Sequence, residues 1–252
     1  MSQPTVSTRR DLVRDQLAHL PLGTLRRPSS TPVRVGKVGS GDDLLVLAWS
    51  ADDLARERAA GVRMLRALGL APGVRIANAL PGALETPGAL LFGDVVEELG
   101  ALDVPLGVVE TPAAAAQAWE LLDRVAPAVL VLEAASAAAL LAGAPAARRP
   151  WWRGILWLRR GVTAAPPPAL PAALGFDGWQ RTWLAVPEAA SVVGWSCARD
   201  RVHLDAGVAA SVVDGTLVVQ VGSGPRFQSG VRASLADGAC PCGVAGITIA
   251  AN

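Results

Sequence analysis

Between Leu44 and Arg160 short apolar runs alternate with longer stretches whose apolar residues recur every three or four positions. LLVLAW has the length and composition of a strand buried on both faces. Ser50 followed by Asp53 predicts a capping box, and Leu54, Val62, Leu65 and Leu68 mark one face of a helix ended by Gly69. VRIANAL follows as a strand. TPGALLFGDVVEELG reads as a helix with proline in its first turn and Gly100 past its end. ALDVPLGVV is the next strand, Thr111-Pro112 opens the helix AAAAQAWELLDRVA, and AVLVLE is again a strand. Ser136 is placed to cap a short Ala/Leu helix, and GILWLRR closes the series as a strand. This order predicts an α/β fold, a parallel sheet flanked by helices.

The pattern changes at both ends. Residues 1–43 are polar, arginine-rich and full of turn formers, which predicts an N-terminal arm ahead of an α/β core at 44–182. AAPPPALP predicts a surface connection into a short helix. From Trp183 strands follow one another with no room for helices, so 183–252 reads as a β-rich subdomain. Within it, GVAASVVDGTLVVQVGS is two β-branched runs meeting at Asp214-Gly215, a type I′ hairpin signal.

Composition narrows the possibilities. With 51% hydrophobic residues and a net charge of +1, the 252-residue chain has neither a disordered nor a nucleic-acid-binding profile. Its one lysine is Lys37; the other basic residues are arginines dispersed among acids, a solvated-surface pattern. The first arginines are followed by no apolar stretch, so no signal peptide is expected. Residues 127–147 are Ala- and Leu-rich, but Pro127, Glu133 and Pro145 interrupt them, which fits a buried strand and helix better than a membrane span. Three cysteines favour a reducing compartment over a disulfide framework, hence a cytoplasmic location.

All three cysteines and one of two histidines lie in the last third, as C-x5-H (Cys197, His203) and C-P-C-G (Cys240, Cys242). A hairpin between the pairs lets them meet as a Cys3His set, the composition of a closed structural zinc site. The competing readings are small buried hydrophobes and a strained C-x-C redox disulfide. Among the eight tryptophans, Trp157, Trp179, Trp183 and Trp195 read as core filling. Trp151 and Trp152 follow Arg148-Arg149-Pro150, an exposed-looking turn suited to a protein partner or a second copy. His19 reads as an ordinary surface residue.

DDLARERAAGVRMLRALGLAPGVRIANAL and the Gly-rich GALETPGALLFGDVVEELGALDVPLGV resemble the large domain of the phenylacetate-CoA ligase family of adenylate-forming enzymes. The likeness runs in order through Glu188, the Cys/His pair, the hairpin, R-F-Q-S-G and C-P-C-G, covering roughly residues 37–249. It implies the same zinc ligands, Cys197, His203, Cys240 and Cys242. It also implies a phosphate loop at Gly39, Ser40 and Gly41, a magnesium-holding acid at Glu188 and a carboxylic-acid ligand. The departures are specific. Asp42 and Asp43 stand where the family's loop carries its lysine, which repels a triphosphate. Val231 stands where the family's aspartate grips the ribose. The family's C-terminal lid, with its catalytic lysine, is expected to be absent. The resemblance therefore implies a degenerate relative with no catalytic residue, for which ATP and magnesium are not expected. Two alternatives stay open: an acyl-activating enzyme completed by another chain's lid, and a purely structural partner subunit.

Overall fold

A computed structural model describes residues 6–81, 89–144, 152–162, 169–173, 175–222, 224–235, 240–243 and 248–251. The chain starts with β1 (Val6–Ser7), α1 (Arg9–Ala18), β2 (Pro32–Val38) and β3 (Leu45–Ser50). Four βα steps follow: α2 (Ala51–Ala67), β4 (Arg75–Ala79), α3 (Ala89–Leu99), β5 (Leu102–Pro105), α4 (Pro112–Val125), β6 (Val129–Leu132) and α5 (Ala134–Ala142). Then come β7 (Gly154–Arg160), α6 (Ala169–Ala173), β8 (Trp179–Val186), β9 (Ala190–Ser196), β10 (Val202–Leu204), β11 (Val208–Val213), β12 (Thr216–Val221), β13 (Arg226–Leu235) and β14 (Thr248–Ala251).

Among the described residues one twelve-stranded sheet runs β11-β12-β13-β14-β10-β9-β8-β7-β6-β4-β5, with β1 added beside β13. From β5 to β8 every pairing is parallel. From β8 to β11 the pairings along that order are antiparallel, and the added β1 lies parallel to β13. The alternation of side chains along a strand sorts the parallel half into two cores. Ile76, Val129, Val131, Leu156 and Leu158 face α2 and α3. Ala77, Leu130, Leu132, Ile155 and Trp157 face α4 and α5. Both faces are covered, as a parallel sheet requires. A third core joins α1 and β3 to the antiparallel half through Leu12, Leu47, Trp49, Val193, Leu217 and Phe227.

Local chemistry explains the elements. The Ser50 side chain accepts the Asp53 amide while the Asp53 carboxylate accepts the Ser50 N–H, so the capping box forms as expected. Thr111 caps α4 with Pro112 in its first turn. At the β11–β12 turn Asp214 and Gly215 take φ of 50° and 69°, the left-handed pair a type I′ turn demands. Gly61 lets α2 and α3 approach: a Cβ there would lie 2.6 Å from a Val95 methyl.

Three expectations need correction. The polar first 43 residues carry a helix and two strands. A Thr8/Asp11 capping box starts α1, Leu12 and Val13 are buried, and Gln16 bonds both to the Val46 carbonyl (2.8 Å) and from the Val46 amide (2.9 Å). Ser136 does not cap α5; it lies buried within it, and Glu133 holds the N-cap position. Trp152 is not exposed: it is 4% accessible and packs on Trp119, ring centroids 5.7 Å apart, because α4 and α5 leave a large apolar slot there. Trp151, the connection at 163–168 and the start of the helix at 86–88 lie outside the described residues. His19 is exposed and its Nδ1 lies 3.0 Å from Asp15 Oδ1.

Candidate functional site

The Cys/His residues converge. Cys197 follows the last residue of β9, where a turn closed by Cys197 N–H to Arg201 O (3.0 Å) and Asp200 N–H to Cys197 O (3.1 Å) leads into β10. His203 sits within β10, paired to Trp195 on one side and Thr248 on the other. Gly194 makes this pairing possible, since a Cβ there would stand 2.3 Å from the His203 carbonyl oxygen. Cys240 and Cys242 lie on the connection from β13 to β14, turned by Gly243 N–H to Cys240 O. So the hairpin does not close the site alone. Strand β13 runs on beyond its pairing with β12, pairs with β14, and β14 docks on β10.

The donor atoms of all four residues lie within 4.8 Å of one another. Cys197 Sγ and Cys240 Sγ are 3.7 Å apart, and Cys242 Sγ is 3.2 Å from His203 Nε2. The three cysteines form no disulfide: the 3.7 Å between Cys197 and Cys240 is far beyond an S–S bond, which spans about 2.05 Å. Two thiolates on one tetrahedral zinc, each bonded at about 2.3 Å, stand about 3.8 Å apart, so the observed separation fits that donor set. Cys197, Cys240 and His203 are buried, and Cys242 is half-buried. Burial pushes the Cys197 thiol up, but the Arg199 amide, 3.4 Å from its sulfur, and the His203 ring outweigh this, leaving the thiol below its ordinary range. The Cys242 amide lowers the Cys240 thiol in the same way. Thiols eased toward thiolate are the form that ligates metal. His203 Nδ1 is buried without a hydrogen-bond partner among the described residues.

The second constellation is different. Gly39 and Gly41 adopt φ of 76° and 56°, so the loop between β2 and β3 needs its glycines. Its amides are partly committed: Asp43 N–H bonds to Ser40 O and Leu44 N–H to Gly41 O in a single 3-10 turn. Asp42 and Asp43 are exposed. Glu188, between β8 and β9, is 9% accessible and not a surface residue. Sequence reasoning missed its partner, Arg9 of α1. Arg9 Nη1 lies 2.6 Å from Glu188 Oε1, and Nη2 donates to the Asp43 carbonyl at 2.8 Å. A Cβ on Gly39 would fall 2.2 Å from Arg9 Nη2. The guanidinium therefore bridges the glycine loop and the buried acid. Val231 is 1% accessible and belongs to the core joining β3 and β13. At the carboxyl ends of the parallel strands, Arg160 of β7 grips both carboxylate oxygens of Glu133, with Nη2 to Oε2 at 2.7 Å. No single residue pattern predicts Arg9, because its partner is 179 positions away.

No helix among the described residues is long and apolar enough to cross a membrane. No protein-family model and no curated protein matches the chain. Solved structures do match. A 2-hydroxyisobutyryl-CoA ligase, in complex with 2-HIB-AMP and CoA, aligns with a TM-score of 0.79 and 19% identity over 97% of this chain and 62% of its own. The N-terminal domain of FACL13 from Mycobacterium tuberculosis aligns at 0.62 with 11% identity, over 81% of this chain and 57% of its own. The anthranilate CoA ligase AuaEII, in complex with anthranoyl-AMP, aligns at 0.60 with 14% identity, over 85% and 46%. The chain spans less than two thirds of the length of each of these. Its fold is that of the N-terminal domain of adenylate-forming CoA ligases, a parallel sheet flanked by helices that ends in a β-rich region carrying the Cys/His cluster.

Proposed function

We propose that this chain is a non-catalytic relative of the acyl- and aryl-CoA ligases, resembling the phenylacetate-CoA ligases, kept as a binding or interaction module. Cys197, His203, Cys240 and Cys242 hold a structural zinc, and the module works in the cytoplasm with a protein partner or a second copy. The observation that carries the reading is the Arg9 bridge. A loop that cradles phosphate must present free amides and a cation, and a magnesium-holding carboxylate must face the ion. Here the loop carbonyl and the Glu188 carboxylate both hold Arg9, and Asp42 and Asp43 add negative charge beside them. A magnesium ion drawn to Glu188 competes with a guanidinium already 2.6 Å away. Val231, buried in the core, supplies no ribose ligand.

Pyrophosphate release with ATP, magnesium and a panel of aryl and fatty acids tests the absence of catalysis, and the expected rate equals the protein-free blank. Acyl-AMP formation by the chain alone overturns it. Formation only after a second chain is added favours an enzyme with a borrowed lid. Metal analysis of protein purified without added zinc tests the metal, with one zinc per chain expected. In that site zinc supplies cross-linking alone, since four protein donors leave no open position.

A further inference from the structure

Among the described residues the twelve-stranded sheet ends in two edges, β5 and β11, and their chemistry differs. Strand β5 is four residues long, LDVP. The amides of Leu102 and Leu106 donate to the Val74 and Asn78 carbonyls at 2.8 Å each, so the outward amides belong to positions 103 and 105. Pro105 has none. The Asp103 side chain is turned onto α3, where a Cβ on Gly93 would lie 3.1 Å from its Oδ2. A short strand, a proline and an inward carboxylate are devices that keep an edge from pairing.

Strand β11 has none of them. VAASVV is six residues without charge or proline, and it pairs with β12 in unbroken register. Val213 and Thr216 flank the two-residue turn and form its bonded pair, so the amides of Val208, Ala210 and Val212 point away from β12. Val208 donates to the Asp205 carbonyl at 3.0 Å. Ala210 and Val212 keep outward N–H and C=O groups that meet no strand among the described residues.

Charge sits at the two ends of this edge, with opposite sign. At the turn, Asp214 is exposed. At the other end a Cβ on Gly207 would lie 3.9 Å from Nη2 of Arg63, an exposed residue of α2. The fork from Arg63 to Asp205 uses Nε (2.9 Å) and Nη2 (2.8 Å), which leaves Nη1 for a second carboxylate. A strand with a carboxylate at one end and a guanidinium at the other complements itself when a second copy runs antiparallel to it.

We propose that β11 pairs antiparallel with β11 of a second copy of this chain, joining two sheets about a two-fold axis. The inference rests on the reading of the chain as an interaction module and names that module's partner. A two-fold axis normal to the sheet sets opposite residues on the same face, so the register must centre on a residue. Centring on Ser211 sets Ala210 against Val212 in both directions, and the four outward amides of the two copies each find a carbonyl. Ala209, exposed, then covers Val213, which is 40% exposed. Asp214 of each copy falls opposite Val208 of the other, beside Gly207 and within reach of Arg63. Because β5 is blunted, association stops at two.

Sedimentation velocity of the full chain, from low micromolar to several hundred micromolar, reads the mass. A monomer–dimer equilibrium in the micromolar range is expected, since one strand pair makes a small interface. Hydrogen exchange followed by NMR locates it: the amides of Ala210 and Val212 should gain protection as concentration rises, while those of Ser211 and Val213, bonded to β12, should not change. Ala210→Pro removes an outward donor and no bond to β12, and should leave a monomer with the parent's circular dichroism. Asp214→Asn keeps a turn that asparagine favours and deletes two exposed ion pairs, so it should weaken the dimer by about three- to tenfold. A monomer at every concentration, assemblies beyond two, a dimer indifferent to either substitution, or exchange at Ala210 and Val212 independent of concentration overturns the proposal. Zinc content and pyrophosphate release do not depend on this edge, so its failure is separable from that of the reading it rests on.

Discussion

The Cys/His cluster and the Arg9 bridge are both assembled from residues far apart in sequence, yet they relate to their ligands in opposite ways. Around His203 the polypeptide brings four soft donors together: three thiols that form no disulfide, and an imidazole 3.2 Å from one of their sulfurs. Around Glu188 the polypeptide supplies its own counter-ion. Donors grouped at metal-ligand spacing gain from an outside ion that joins them, whereas an internal cation removes the need for one. A site can therefore lose a ligand without losing its acidic residue. The contrast lies in who satisfies the charge.

The largest test of that contrast is removal of the metal that the first site is proposed to hold. Cys240→Ser with Cys242→Ser, or chelation of the parent, should lower the melting temperature by at least about 10 °C, because the metal ties the β13–β14 connection to β9 and β10. Differential scanning calorimetry with and without chelator reads this. A melt indifferent to both would mean that the cluster packs as ordinary buried thiols.

Val231→Asp sharpens the comparison from the other side. If the nucleotide grip had been lost through one substitution, restoring an acid would restore binding. The position is core, so a carboxylate there is a buried unpaired charge costing about 3–5 kcal/mol. Urea denaturation should show that loss, and titration should show no gain in ATP affinity. A variant that folds like the parent and binds ATP would place Val231 in an open cleft after all.

Arg9→Ala probes the bridge with a smaller effect. It strands a carboxylate that is 9% accessible, so stability should fall by about 1–3 kcal/mol. Glu188→Gln should cost a similar amount, and the double variant should cost clearly less than the sum. Simple additivity would make the contact incidental.

The sequence exposed the first site more readily than the second for a physical reason. Metal ligands belong to few residue types, and with three cysteines and two histidines in 252 residues the candidates name themselves. Arginines are common here, and nothing about Arg9 distinguishes it from Arg10 until the fold sets it beside Glu188. The same difference separates the elements. Leu45–Ser50 and Pro112–Val125 carry their own periodicity and caps, so pattern alone places them. The helix Arg9–Ala18 has only Leu12 and Val13 buried as apolar anchors, and it holds to β3 through Gln16 bonding the Val46 backbone like a short strand. A polar residue replacing an apolar stripe leaves no period to read. Strand order was likewise illegible: the joining of β14 to β10 depends on backbone pairing across 45 residues, from His203 to Thr248.

Asp53 offers the smallest effect and separates local from long-range satisfaction of charge. Burial pushes its carboxyl up, but the Ser50 amide (2.9 Å), the Ser50 hydroxyl (2.8 Å) and the Ser29 amide (3.1 Å) outweigh this and hold it at about 2. The folded value lies below the unfolded one, near 3.9, so the ionised form stabilises the fold above about pH 4. That contribution fades as pH falls from about 4 toward 2. Partial exposure and screening reduce it to about 1–2 kcal/mol. Asp53→Asn should therefore lose that amount at pH 7 and little at pH 2.5, narrowing the gap between variant and parent as acid is added. Urea titrations at the two pH values decide it. A gap of equal size at both would mean that the capping geometry, which asparagine also supports, matters and the charge does not.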